Sequence, residues 1–218
     1  MTAALEMTTT GSGASWEEAY EELAYTAFAL RTQADDPQIA KLHTEVVGVL
    51  GDWEHIEADR RRLRATAIAA RANVRVADAA LDLALRKIAE TILEETDGDA
   101  DADLYTRFFP EPHERVIALG LDAELPIASA AMAQLDEGEA VPDALKAHID
   151  PLRSCLTVGN AAITGRADAY AGLGRLQARI EAWMETADAT ARNVHSDLTA
   201  LGDARGLSYR WTSSFFAR

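Results

Sequence analysis

Two long stretches of this chain repeat apolar residues in steps of three and four, and no other sequence feature constrains the fold as strongly. The first runs from about residue 37 to 96 and the second from about 151 to 204. Such stepping averages 3.5 residues and is typical of a helix wound against another helix. Each stretch begins with Asp-Pro, in which the aspartate suits the cap and the proline suits the first helical position. The sequence therefore predicts two long helices.

The rest of the chain is consistent with an all-α fold. Strand-forming residues never accumulate in alternating runs. Ser15 and Glu18 form a capping-box pattern that predicts an N-terminal helix. We expect the two long helices to lie antiparallel, as a coiled-coil-like hairpin or an elongated bundle, with short helices in the insert 97–149. Gly48 and Gly51 mark the weakest point of the first long helix.

The sequence predicts that the chain has three parts. We expect residues 1–14 to be a flexible tail, because they are small and polar. Residues 15–206 form the predicted single helical domain, and residues 207–218 an aromatic docking segment. The two halves of the helical domain also resemble each other weakly, through "AIAARAN" and "AITGRAD", and whether they arose by duplication stays open.

The charge balance bears on the partners that the chain would bind. There are 21 basic and 36 acidic residues, which give a formal net charge of −15. This balance repels nucleic acid and anionic membrane, so we expect neither as a partner. No stretch approaches the roughly twenty apolar residues of a membrane span, and the start lacks a signal-peptide pattern, so we expect a cytoplasmic protein. Cys155 is the single cysteine, which excludes an internal disulfide and a cysteine-rich zinc site.

The run of alternating aspartates is the most suggestive candidate for a metal site. Asp97, Asp99, Asp101 and Asp103 match the first carboxylates of a calcium-binding loop. Position 6 of such a loop requires glycine and position 12 requires glutamate, whereas this chain has Ala102 and Phe108. A solvated linker explains the run better, and cation binding there stays an open alternative.

Other catalytic and metal-binding patterns are incomplete. No Glu-x-x-His pair of a di-iron bundle occurs, and Asp52 with His55 would make only a weak metal site. Cys155 and His148 lack an orienting acid. The sequence therefore predicts no catalytic residue, no metal site and no cofactor, and gives no positive support for an enzyme.

Arginines and glycines inside the two seams each require a physical reason. "EADRRRLR", residues 57–64, indicates a solvated helix face or a docking strip for an acidic surface such as "WEEAYEE" of another copy. Arg60 and Arg166 fall on the seams and must be paired or reach solvent. The glycines of the second long helix predict close approach of a neighbouring helix, at Gly159, Gly165, Gly172 and Gly174.

Aromatic residues near the two helix ends suggest contact surfaces. They are few in this chain, and leaving them in water would be unfavourable, so they are expected to dock on their own bundle or on another protein. The predicted interaction residues are Tyr209, Trp211, Phe215, Phe216, Tyr105, Phe108 and Phe109. We therefore expect a helical structural or protein-interaction protein that binds a protein partner or itself. The alternative is a carboxylate-rich metal- or ligand-binding helical bundle.

Overall fold

The computed structural model describes residues 15–136 and 141–217, and over these ranges the chain is all-α, as the sequence predicts. It forms eight helices there, and none of the described residues lies in a strand. The helices are α1 (Trp16–Arg31), α2 (Pro37–Glu95), α3 (Asp103–Phe108), α4 (His113–Val116), α5 (Leu121–Asp136), α6 (Asp143–Lys146), α7 (Ile149–Ala204) and α8 (Tyr209–Ser213). The predicted tail 1–14, residues 137–140 of the insert and Arg218 lie outside the described residues.

Polar side chains cap the first two helices as their sequences predict. The Ser15 hydroxyl accepts a hydrogen bond from the Glu18 N–H at 3.2 Å, and the Glu18 carboxylate accepts one from the Ser15 N–H at 2.7 Å. The Asp36 carboxylate accepts from the Gln38 N–H at 2.9 Å, which starts α2 at Pro37. These bonds satisfy N–H groups that have no partner within the helix.

The two long helices are continuous. α2 passes through Gly48 and Gly51 without interruption. It ends where Asp97 and Gly98 take positive φ angles of 53° and 83°, and the Gly98 N–H bonds back to the Leu93 carbonyl at 2.7 Å. α7 begins at Ile149, two residues before the predicted start at Pro151. A proline anywhere in the first turn is tolerated, because its missing N–H would have no partner within the helix.

The structure divides into two compact units, and unit 1 comprises residues up to 62 and from 173 onward. Within it, α2 and α7 run in opposite directions, because Val49 lies opposite Trp183 and Gln38 lies opposite Arg205. Its core is formed by buried side chains of α1, α2, α7 and the C-terminal segment, among them Leu30, Ile39, Val46, Trp53, Ile180, Val194, Leu198 and Phe215. Trp53 lies between Trp16 and Trp183, with 4.6 Å between ring centroids on each side.

Unit 2 comprises residues 63–172 and contains the short helices of the insert. Here too the long helices run in opposite directions, because the Cys155 thiol lies 3.6 Å from the Ala80 carbonyl and His148 lies beside Thr91. Its core draws on every segment of the unit, including Leu81, Leu85, Ile88, Phe108, Phe109, Ala128, Leu135, Leu145 and Leu152. Antiparallel pairing thus holds within each unit, while the single long hairpin, the single domain and the separate docking segment stay predictions.

Candidate functional site: a buried carboxylate cluster

Three carboxylates from two helices of unit 2 meet beside its core. Asp78 and Asp82 belong to α2 and Glu124 belongs to α5. One oxygen from each side chain lies within 4.8 Å of the other two. Glu124 is 0 % exposed, and the two aspartates are half-buried. Among the described residues, this is the one group of three metal-ligating side chains that the fold brings together.

Local sequence explains why these three side chains point to one place. Asp78 and Asp82 are four residues apart, so they lie one turn apart on the same side of α2. Each follows a buried seam residue, Ala77 or Leu81, and therefore sits at the edge of the packed face. Glu124 lies in the first turn of α5, between the buried residues Leu121 and Leu125. The packing of α5 on the core thus carries the Glu124 carboxylate inward.

Each of the three carboxylates has one buried oxygen without a hydrogen-bond partner among the described residues. Glu124 Oε1 accepts a hydrogen bond from the Gly120 N–H at 3.1 Å. The other Glu124 oxygen, Oε2, is buried without a hydrogen-bond partner among the described residues, as are Asp78 Oδ1 and Asp82 Oδ1. Buried charges that lack a partner cost several kcal/mol each, so such groups are protonated or bind a cation.

The electrostatics of the cluster favour a bound proton when no cation is present. Burial raises the pKa of Glu124 to about 7, and the negative charge of Asp82 and a hydrogen bond with its carboxylate act in the same direction. The Gly120 N–H acts the opposite way, and Asp78 adds a smaller repulsion. Burial also raises the pKa of Asp82, although the hydrogen bond with Glu124 and, less strongly, the charge of Arg86 oppose this. A protonated Glu124 therefore donates a hydrogen bond to Asp82, and this proton is held only up to near-neutral pH.

The composition of the cluster selects among metal ions. Its ligands are all carboxylate oxygens, which suit the hard cations Ca²⁺, Mg²⁺ and Mn²⁺, whereas zinc and iron sites usually include histidine or cysteine. Oxygens on opposite sides of Ca²⁺, each at about 2.4 Å, lie about 4.8 Å apart. The observed spacing therefore accommodates such an ion without a large movement of the helices.

The predicted aspartate run does not form a comparable site. Asp97, Asp99, Asp101 and Asp103 are exposed, and no group of three possible ligands among the described residues includes any of them. The Asp99 carboxylate accepts the Asp101 N–H at 2.9 Å, an arrangement typical of a local turn. These residues connect α2 to α3.

The other candidate pairs from the sequence are not brought together for chemistry. Asp52 and His55 are exposed. His148 Nε2 lies 2.9 Å from the Thr91 hydroxyl, while the Cys155 thiol donates to the Ala80 carbonyl. Burial raises the pKa of the Cys155 thiol, which disfavours the reactive thiolate.

The aromatic residues predicted for interaction lie mainly inside their own units. Tyr105, Phe108 and Phe109 are buried in unit 2, and Phe215 is buried in unit 1. Trp211 and Phe216 are half-buried; Phe216 lies 5.2 Å from the His195 ring. Tyr209, at 71 % exposed, is the one of the seven that faces solvent.

Both seam arginines have acidic partners, as their positions require. Arg60 binds Glu57 through two hydrogen bonds of 2.6 and 3.2 Å and lies over the Trp16 ring, 4.9 Å from its centroid. Arg166 binds both oxygens of Asp122 at 2.7 and 2.8 Å. These two arginines are therefore structural.

Sequence reasoning missed Asp78, Asp82 and Glu124. A signal was present, because two aspartates four residues apart interrupt the alanine-rich run "VADAALDLAL" beside the seam. It could not reveal Glu124, since the approach of α5 to α2 is a tertiary contact. The sequence pattern drew attention instead to the denser aspartate run, which was interpreted mainly as a solvated linker and is exposed in the structure.

The fold and the cluster define an all-α protein with a buried all-carboxylate centre. None of the helices over the described residues has the length and apolarity needed to cross a membrane. Comparison with protein-family models, with curated proteins and with solved structures gives no match. The function proposed below is therefore derived from the side chains of this chain alone.

Proposed function

We propose that this chain is a cation-binding helical protein in which Asp78, Asp82 and Glu124 hold one hard divalent cation. The observation that carries the proposal is the fully buried Glu124: no N–H donor of the described residues reaches its Oε2, and the neighbouring Asp78 and Asp82 each have one buried oxygen that likewise accepts no such hydrogen bond. A divalent cation would neutralise most of this charge and use the oxygens that the protein leaves unpaired.

Binding is expected to exchange a proton for a cation. Below about pH 7 the proton on Glu124 competes with the metal, because a ligating carboxylate must be ionised. Above this pH the three carboxylates repel one another, and a cation relieves the repulsion. The affinity should therefore rise by about tenfold in total between pH 6 and 8 and level off above this range, because one proton with a pKa of about 7 is displaced.

Calorimetric titration of chelator-treated protein with Ca²⁺, Mg²⁺ and Mn²⁺ at pH 8 tests the proposal. We expect one site per chain for at least one of the ions. The double variant Asp78→Asn with Asp82→Asn should lose it, because amides keep the shape of the site but remove its charge. A raised unfolding temperature in the presence of the ion would be an independent readout.

The matched control is Asp99→Asn with Asp101→Asn, which makes the same chemical change on the exposed run. It should bind the ion as the unaltered protein does. Absence of binding by all three ions, or binding that survives the loss of Asp78 and Asp82, would overturn the proposal. Loss of binding in the control variant would instead assign the site to the aspartate run.

We also propose a second function, the one that the sequence predicts, in which the chain self-associates as a helical interaction protein. An exposed apolar row along α2 supports it: Ile68, Val76 and Leu83 are 59 %, 69 % and 49 % exposed. Tyr209, the exposed aromatic residue of the C-terminal segment, offers a separate surface for a partner. Molar mass in solution, measured by light scattering across a range of concentrations, tests this function, and a value of 23.6 kDa throughout would exclude it.

A further inference from the structure

We infer that α1 of one copy docks on the exposed face of α2 of a second copy. This inference rests on the proposed self-association and names the two surfaces that meet. The first surface is the arginine-edged stripe of α2, formed by Ala65, Ile68, Ala72, Val76, Ala79 and Leu83 with Arg64, Arg71 and Arg75 along one side. The second is the acidic face of α1, formed by Glu17, Glu21, Tyr25 and Phe28.

The stripe is an apolar helix face that its own chain leaves uncovered. Its members follow one another at intervals of three and four, so they lie on one side of α2. All six are exposed, although the opposite side of the same helix is packed in the core of unit 2. A row of exposed aliphatic residues along several turns is typical of a surface that binds another protein. Its alanines allow a second helix to approach closely.

The arginines give the stripe a charge opposite to that of the chain. Arg64, Arg71 and Arg75 each precede a member of the stripe by one residue, which places them together along one edge. All three are exposed, and none forms an ion pair with any described residue. In a chain of net charge −15, such an edge attracts the acidic surfaces of another copy.

α1 offers the complementary features on one side. Glu17, Glu21, Tyr25 and Phe28 follow at intervals of four, four and three, and all are exposed, with Tyr25 at 47 % and Phe28 at 60 %. Neither Glu17 nor Glu21 pairs with a basic group among the described residues. Both carboxylates are therefore available to a partner. Beside them lie the exposed Tyr25 ring, whose hydroxyl donates to the Ser214 carbonyl, and the exposed Phe28 ring, over which the Arg31 guanidinium lies at 5.1 Å from the centroid.

One antiparallel register pairs the charged residues of the two surfaces, and it leaves Ala79 and Leu83 beyond the start of α1. When Glu21 lies opposite Arg71, Glu17 lies opposite Arg75 and Phe28 lies opposite Arg64. In each of these pairs the two residue numbers add to the same value, as an antiparallel pairing of two helices requires. The register therefore gives two ion pairs and one stacking of a guanidinium on an aromatic ring. Tyr20 then faces Ala72, where the small side chain leaves room for the ring.

Charge reversal tests the docking. Either variant alone should associate weakly, and a mixture of the two variants should associate normally. The stripe variant is Arg71→Glu with Arg75→Glu, and the α1 variant is Glu17→Arg with Glu21→Arg. Each alone should weaken association by about tenfold or more, because like charges then face each other. Mixing the two in equal amounts should restore association, since reversed charges on one copy meet reversed charges on the other.

The matched control is Arg107→Glu with Arg175→Glu. It changes the net charge by the same amount as the stripe variant, but at exposed arginines elsewhere in the chain. It should associate as the unaltered protein does. Circular dichroism of every variant establishes that its helices are retained. Raising the salt concentration from about 0.15 to 1 M should weaken association of the unaltered protein, because the Debye length falls to about 3 Å.

Three outcomes separate this inference from the proposal beneath it. An unaltered protein that stays at 23.6 kDa overturns both. An oligomer that neither charge-reversal variant weakens overturns the docking of α1 on α2 but leaves self-association standing. An oligomer that both variants weaken and that their mixture fails to restore likewise overturns the docking, since the pairs would not be matched in space.

Discussion

Glu124 on α5 shares a buried site with Asp82 on α2, and one oxygen of each carboxyl group lies within 4.8 Å of the other. Without a cation, this relationship links folding to pH. The folded chain keeps a proton on Glu124 up to about pH 7, whereas the unfolded chain loses it near the ordinary value of 4.5. The sign follows directly: the stability from this group is complete below pH 4.5 and is lost as the pH rises through about 7.

We predict that Glu124→Gln removes this pH dependence. The amide cannot ionise, and it can still accept from Gly120 while donating to Asp82. In the presence of a chelator, the unaltered protein should lose stability between pH 4.5 and 7, and the variant should lose less, becoming the more stable of the two at pH 8. Urea denaturation followed by circular dichroism at several pH values measures the difference.

The shifted carboxylates outside the cluster do not obscure this window. Hydrogen bonds from arginine or lysine lower the pKa values of Asp36, Glu57, Asp59 and Asp143, so these groups lose their contributions only as the pH falls below their ordinary values. The control is Glu94→Gln, a change at an exposed residue of α2, which should leave the slope unaltered. Equal slopes in the protein and in Glu124→Gln would contradict the assignment.

A second prediction concerns the three tryptophans of unit 1. Trp53 is buried and touches a tryptophan on each side, so Trp53→Ala should cost about 3–5 kcal/mol of unfolding free energy. Trp16 is half-buried and stacks on one tryptophan, with the Arg60 guanidinium over its ring, so Trp16→Ala should cost clearly less. Denaturation followed by circular dichroism gives both values, and equal costs would show that Trp53 does not organise this core.

A third prediction separates the aromatic residues of the C-terminal segment. Phe215 is 1 % exposed, so Phe215→Ala should cost about 3–5 kcal/mol. Tyr209 lies in the same segment but in solvent, so Tyr209→Ala should change stability by less than about 0.5 kcal/mol. If Tyr209 takes part in self-association, its variant should lower the molar mass in solution while leaving the unfolding free energy unchanged.

The regular part of the fold was predictable because it depends on local patterns. The steps of three and four placed the ends of α2 within one residue, and the capping box of Ser15 and Glu18 formed as expected. Arg60 and Arg166 were paired, since a charge on a packed face has few alternatives. These features depend only on neighbouring residues of one helix or on the general cost of burying a charged side chain.

The candidate site was not predictable, because it depends on where one helix meets another. Asp78 and Asp82 are spaced for a shared face, but nothing local to them indicates the third carboxylate. Glu124 lies in an unremarkable short helix and acquires its properties only through packing against α2. Aspartates at 97, 99, 101 and 103 carried a stronger local pattern, yet exposure leaves them with ordinary turn geometry.

The glycines of α7 give a last prediction, because helix propensity is a local property whereas close helix packing is a tertiary contact. All four were expected to permit close helix approach. A Cβ at Gly159 would lie 2.8 Å from Leu125 Cδ2 of α5, whereas a Cβ at Gly165 or Gly174 would meet nothing within 4 Å. Close approach therefore explains Gly159 and does not explain Gly165 or Gly174.

Gly165→Ala and Gly174→Ala should each stabilise the protein by up to about 1 kcal/mol, because alanine favours the helix and both sites have room. Gly159→Ala should give no net gain, since the same helical preference is offset by displacing the Leu125 side chain. Denaturant unfolding of the three variants under one condition provides the comparison. Because all three make the same substitution within one helix, a gain at Gly159 as large as that at Gly165 would show that α5 does not constrain α7 there.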